Sequence, residues 1–206
     1  MKKSIFREGK KYNFSDYFDM NNPTEEIVGE FGYSFSFEVT DLPQSESYDK
    51  EIIKHLKETY YRIIPKITLT SEIAKRKFLI APILLEIVRT TESKIHVEYP
   101  IELDDKLGGL LDYLVRSKQE LIIIEAKKGD LDKGFNQLSV ELIALDKYED
   151  SSLPNFYGAI TVGDFWRFGI LKRKEKHIIK DIHSYRIPED IENVFSILRG
   201  IVDLDT

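Results

Sequence analysis

Apolar and polar positions follow two periods along the chain. Between residues 32 and 39, Tyr33, Phe35, Phe37 and Val39 alternate with Ser34, Ser36 and Glu38. A period of two predicts a half-buried strand. The same period returns at 94–103, with Ile95, Val97, Tyr99, Ile101 and Leu103 on one face and His96, Glu98 and Glu102 on the other. Helical spacing governs residues 47–64, where Ile52, Ile53, Leu56, Tyr60 and Ile63 recur before Pro65 ends the run. A second helix is expected over 71–88. Ser71 or Thr70 can cap it, and Glu72 lies in its first turn. Its later half is apolar nearly all round, and Pro82 predicts a kink there.

The stretch 107–145 organises the rest: LGGLLDYLVRSKQELIIIEAKKGDLDKGFNQLSVELIAL. Gly108-Gly109 permits a close backbone approach. Leu121-Ile122-Ile123-Ile124 predicts a strand buried on both faces, after which the polarity switches abruptly. Side chains alternate along a strand, so Glu125 and Lys127 project together while Ala126 points away. A helix follows over 131–148, with Phe135, Leu138, Leu142 and Leu145 as its stripe and Gln137 and Glu141 on a different face. Beyond it, strands are expected at 156–162, 166–171 and 177–181, with a turn at Gly163-Asp164 and a charged tip at 172–176. Pro188 opens a closing helix to about residue 202, with Ile191, Val194, Phe195 and Leu198 inward. The first thirty residues are mixed, from Lys2, Lys3, Arg7, Lys10 and Lys11 through the aromatic-acidic stretch 12–18 to a turn at Asn21-Asn22-Pro23. A solvated tail is the expectation there, in preference to a phosphate-binding arm.

Composition narrows the function. At 206 residues and 42% hydrophobic, the chain is long enough for one domain with a sizeable core. A net charge of −6 opposes non-specific coating of DNA. The absence of cysteine excludes disulfides and thiolate zinc sites. His55, His96, His177 and His183 show no metal-binding spacing, and no G-x-S-x-G elbow is present. With no signal core and no apolar run long enough to span a bilayer, a cytoplasmic protein without membrane contact is expected.

The chemistry concentrates near Asp112 and Glu125. On adjacent strands the two carboxylates, with the Ala126 carbonyl, offer hard oxygens to Mg²⁺ or Mn²⁺. Such an ion lowers the pKa of a bound water, and Lys127 can orient that water or offset developing negative charge. Asp112, a spacer of twelve residues and Glu125-Ala126-Lys127 resemble the signature of the PD-(D/E)XK nuclease superfamily, although Leu111 stands where its proline would be. Four segments in order sharpen the likeness: SEIAKRKFLIAPILL, GGLLDY, LIIIEAKK and YGAITVGDFW. They are similar to the nuclease domain in the restriction subunit of type I restriction enzymes and its standalone relatives.

The resemblance covers about half the chain, residues 71–171. It implies an α/β (α+β) fold with a restriction-endonuclease-like core, a mixed sheet flanked by helices in the order αβββαβ. Residues 66–206 would form that core, with a C-terminal β-hairpin and helix. Residues 1–65 would be an extension, a strand and a helix packed on it. The resemblance further implies a Mg²⁺-dependent endonuclease acting on DNA, with RNA as an open alternative and a homodimer or partner subunit left open. Glu72 would be the helix carboxylate and Gln137 the glutamine of the following helix, catalytic alongside Lys127. Glu86, fourteen residues on and nearly four turns away, is the rival to Glu72. Lys128, Lys133, Lys75 and Arg76, with Lys77, are the expected nucleic-acid contacts, and Lys128 and Lys133 are expected on exposed turns. The alternative is a catalytically inactive nuclease-fold binding or scaffolding module.

Overall fold

The computed structural model describes residues 4–117, 121–126 and 130–203, and for 121–126 the backbone alone. Lys127 and Lys128, and the side chains of Glu125 and Ala126, lie outside the described residues. One mixed sheet carries the fold. Its strands are β1 (Ser34–Glu38), β2 (Lys94–Asp104), β3 (Leu107–Arg116), β4 (Leu121–Ala126), β5 (Asn155–Thr161), β6 (Phe165–Lys172), β7 (His177–Asp181) and the short β8 (Tyr185–Arg186). They run in the order β1-β7-β6-β5-β4-β3-β2, with β8 on β6. The pairs β1–β7 and β4–β5 are parallel and the others antiparallel.

Helices cover both faces because the central strands bury side chains on both. On one face α3 (Lys50–Ile63), α5 (Ala81–Thr90) and α7 (Ile191–Val202) pack over Tyr157, Ala159, Trp166 and Phe168. On the other, α6 (Leu131–Tyr148) lies over Phe156, Ile160, Leu171 and Ile178. Gly158 and Gly169 let α6 approach closely, since a Cβ there would meet Leu138 at 2.8 Å and Phe135 at 2.7 Å.

Residues 4–30 are not a solvated tail. They form α1 (Phe14–Phe18) and α2 (Thr24–Gly29), which bury Phe14, Tyr17, Ile27 and Val28 against the outer face of α6. The cause lies in α6, whose residues 134–145 are buried all round rather than along one stripe of four. A helix apolar or small on every side needs cover on the side away from the sheet. Side-chain bonds fix that cover: Tyr33 donates to Asp146 Oδ2 at 2.6 Å and Thr24 to Asn136 Oδ1 at 2.6 Å.

Three other expectations need correction. Phe37 in β1 and Val39 just beyond it are 52% and 63% exposed, at an edge of the sheet. Phe37 instead receives the cations of Arg167 and Lys180 over its ring. In β2 the single alternating face breaks at Glu98, whose φ is +54°. Ile95 consequently packs with the α3/α5/α7 core, and Tyr99 and Ile101 with the α6 core. The closing helix starts at Ile191, since residues 186–190 form a turn in which the Asp190 N–H donates to Arg186 O at 2.6 Å.

Residues just before α3 are tied to α7. Ser45 N–H donates to Ser196 O at 3.0 Å, and Ser196 Oγ donates to Ser45 O at 2.9 Å. Gly200 makes this contact possible, because a Cβ there would stand 2.5 Å from Gln44 N. Backbone cannot swing aside as a side chain does. Gly200→Ala should therefore destabilise the protein by about 1–3 kcal/mol, measured by urea unfolding followed through Trp166 fluorescence; an unchanged midpoint would show that the contact yields without cost.

Candidate active site

The site begins with a helix that cannot stay α-helical. Ser71 caps α4 (Glu72–Lys75), its Oγ accepting from Ala74 N–H at 3.1 Å. Pro82 has no N–H and its ring would crowd the carbonyl four residues back. The chain relieves this with a π-helical turn over Arg76–Ile80, in which Ala81 N–H bonds back to Arg76 O, before α5 continues. Tyr60 of α3 donates to the Leu79 carbonyl in that turn at 2.7 Å, and burial pushes its phenol pKa well up. Inserting a π turn changes the angular phase of everything after it. Glu72 and Glu86 thus part company: Glu86 accepts from Arg89 Nε at 2.8 Å on its own helix, while Glu72 accepts from Arg76 at 2.9 Å.

Arg76 also bonds Asp112, so one guanidinium joins the carboxylates of α4 and β3. The side chains of Asp112 and Arg76 are only 13% and 22% exposed. This redirects one expected nucleic-acid contact, for Arg76 faces acids rather than open solvent. Asp112 stands opposite the irregular Glu98, between the pairs Val97↔Tyr113 and Tyr99↔Leu111. On its other side, β3 pairs with β4 through Tyr113↔Ile124. One step further along the two strands come the positions of Asp112 and Glu125.

Asp112 and Arg76 open into a cavity of about 510 Å³. Gln137 of α6 lines it too, so three residues nominated by sequence reach one space. Gln137 is 4% exposed and donates through Nε2 to Glu141 Oε1 at 2.7 Å, with Glu141 fully buried. Its Oε1 has no hydrogen-bond partner among the described residues. The Glu141 bond thereby fixes the amide and leaves its carbonyl oxygen as an acceptor beside the cavity.

The rest of the lining went unnominated. Asn13, Phe14 and Ser15 come from the start of α1, and Pro100, Glu102, Gly109 and Leu110 from β2 and β3. Gly109, at φ +146°, admits Phe14, whose ring would lie 2.8 Å from an added Cβ. The available signal was N-F-S-D at 13–16, where Asn13 N–H donates to Asp16 Oδ2 at 2.8 Å and starts a helix. Lys75 and Lys133 are partly buried, and Lys133 sits in the first turn of α6 rather than on an exposed turn. Lys77 is exposed.

The described residues hold no cluster of three His, Asp or Glu side chains able to bind a metal. What they hold is two carboxylates from separate elements around one cation, a donor set that suits a hard divalent ion. No protein-family model matches the chain, and no curated protein matches it in sequence.

Removing the guanidinium leaves two partly buried carboxylates facing each other. Arg76→Ala should lower the melting temperature by a few degrees in EDTA, and Mn²⁺ should restore more of it than it adds to the wild type. Thermal unfolding with and without Mn²⁺ checks this. Equal Mn²⁺ responses in both proteins would remove Asp112 and Glu72 from cation binding.

Proposed function

We propose that the chain is a metal-dependent nuclease that hydrolyses DNA phosphodiester bonds on a restriction-endonuclease-like core. The observation that carries this reading is the meeting of Asp112, Arg76 and Gln137 at one cavity, with Glu72 bonded to that same Arg76. The order of elements supports it: a helix bearing Glu72, three antiparallel strands, α6, then β5 parallel to β4.

Asp112, Glu125 and the Ala126 carbonyl would hold Mg²⁺ or Mn²⁺, with Glu72 at hand. When bound, that ion supplies Lewis-acid stabilisation of the phosphoryl oxygen and a more acidic water. The chain's own groups do the remainder. The Gln137 carbonyl oxygen orients the attacking water through one of its protons. Lys127 offsets negative charge that builds on phosphorus-bound oxygen. The water oxygen bonds phosphorus as the opposite ester bond breaks, and the proton lost by water is balanced by one gained on the leaving oxygen.

A second reading, a nuclease-fold module that binds without cutting, draws on Arg76, which already pairs with both carboxylates. Cleavage of end-labelled DNA decides between them. Wild type should cut in Mg²⁺ or Mn²⁺, whereas Asp112→Asn and Lys127→Ala should lose at least about a hundredfold in rate while keeping their fold by circular dichroism. Cutting by Asp112→Asn at the wild-type rate would refute the assignment of cleavage to this site, and an inactive wild type that still binds DNA would establish the module.

A further inference from the structure

We infer that the cavity takes a single unpaired strand, not an intact duplex; this rests on the nuclease reading and names its substrate class. The cavity, about 510 Å³, matches pockets that take one small molecule, roughly 300–1,000 Å³. A duplex is far larger, since the major groove of B-DNA is by itself about 12 Å wide. Asp112, only 13% exposed, is reached through this space.

The α1 side of the cavity is locked in place. Tyr12 N–H donates to Asp105 O at 2.8 Å and Tyr17 Oη to Lys106 O at 2.6 Å, both at the β2–β3 turn. Lys11 pairs with Glu102 at 3.2 Å, and the Phe14 ring rests on Gly109. A wall bonded to the sheet by backbone, ion pair and ring contact does not swing out to admit a wider substrate.

The lining chemistry suits a base better than a phosphate track. Duplex and single strand alike bind through cations along their phosphates. Among the described lining residues Arg76 is the sole cation, and two carboxylates hold it. What the lining offers is apolar surface, Pro100 and the 53% exposed Leu110, beside the acceptor of Gln137. A base freed from its partner can lay its face on such surface, whereas a paired one must first be unstacked and turned out.

The test uses the full chain with Mn²⁺ and three end-labelled DNAs of one sequence: a single strand, a blunt duplex, and the duplex carrying an unpaired flap. Ser15→Trp, at an exposed lining position, narrows the cavity. Single strand and flap should be cut about tenfold or more faster than the blunt duplex, and Ser15→Trp should lose that cutting at an unchanged melting temperature. A blunt duplex cut as fast as the single strand, or Ser15→Trp cutting the strand at the wild-type rate, would overturn the inference while leaving the nuclease reading intact. If no DNA is cut, fluorescence anisotropy with a short oligothymidylate separates the two ideas. Binding that duplex does not compete away and that Ser15→Trp abolishes upholds the unpaired-strand site without the nuclease. Absence of such binding ends both.

Discussion

One guanidinium decides how the first core helix meets the sheet. Arg76 bonds Glu72 on its own helix and Asp112 on β3, so two like charges that would repel are held at a single point. The position of Arg76 depends in turn on Pro82, which forces the π turn, and on Tyr60, which satisfies the Leu79 carbonyl within it. Local covalent chemistry at a proline is thereby converted into the placement of a charge some residues away. A partly buried arrangement of this kind contributes less to stability than to specificity, because desolvating each ion offsets much of the attraction. It fixes the Asp112 carboxylate beside the cavity.

The same cavity makes the N-terminal residues part of the site. Because α6 is buried on every side, the chain needs a third layer, and α1 and α2 supply it. That layer lies beside Asp112 and narrows the approach to it. A structural demand, covering the outer face of one helix, has the consequence of shaping what can reach the carboxylate. The local surface also bears on the proposed substrate, since a chain of net charge −6 repels a polyanion at long range. On that proposal recognition would have to act at close range, through shape and through cations at the site itself.

Much of the fold was legible because period and punctuation agreed. Helix 131–148 and strand 177–181 match α6 and β7 residue for residue, each bounded by clear turn or cap chemistry, with Asp130 accepting from Lys133 N–H at 3.0 Å. What escaped was set by tertiary context. Phe37 and Val39 alternate faithfully, yet pattern alone cannot say that they lie exposed at an edge of the sheet. Glu98 takes a positive φ that no local signal announces, and the apolar face of β2 changes sides there. The π turn broke the phase that had put Glu86 on the face of Glu72. Of the cavity's lining, Asp112 and Gln137 stand out by motif order, whereas Asn13, Ser15 and Glu102 join them only through contacts between distant segments.

The most direct test is anomalous diffraction from crystals grown with Mn²⁺. The account predicts a manganese peak against the Asp112 carboxylate, with the Arg76 guanidinium turned away from it and Gln137 Oε1 directed at a water beside the ion. A structure in which Arg76 still bridges Glu72 and Asp112 at saturating Mn²⁺, with no anomalous signal near Asp112, would contradict it.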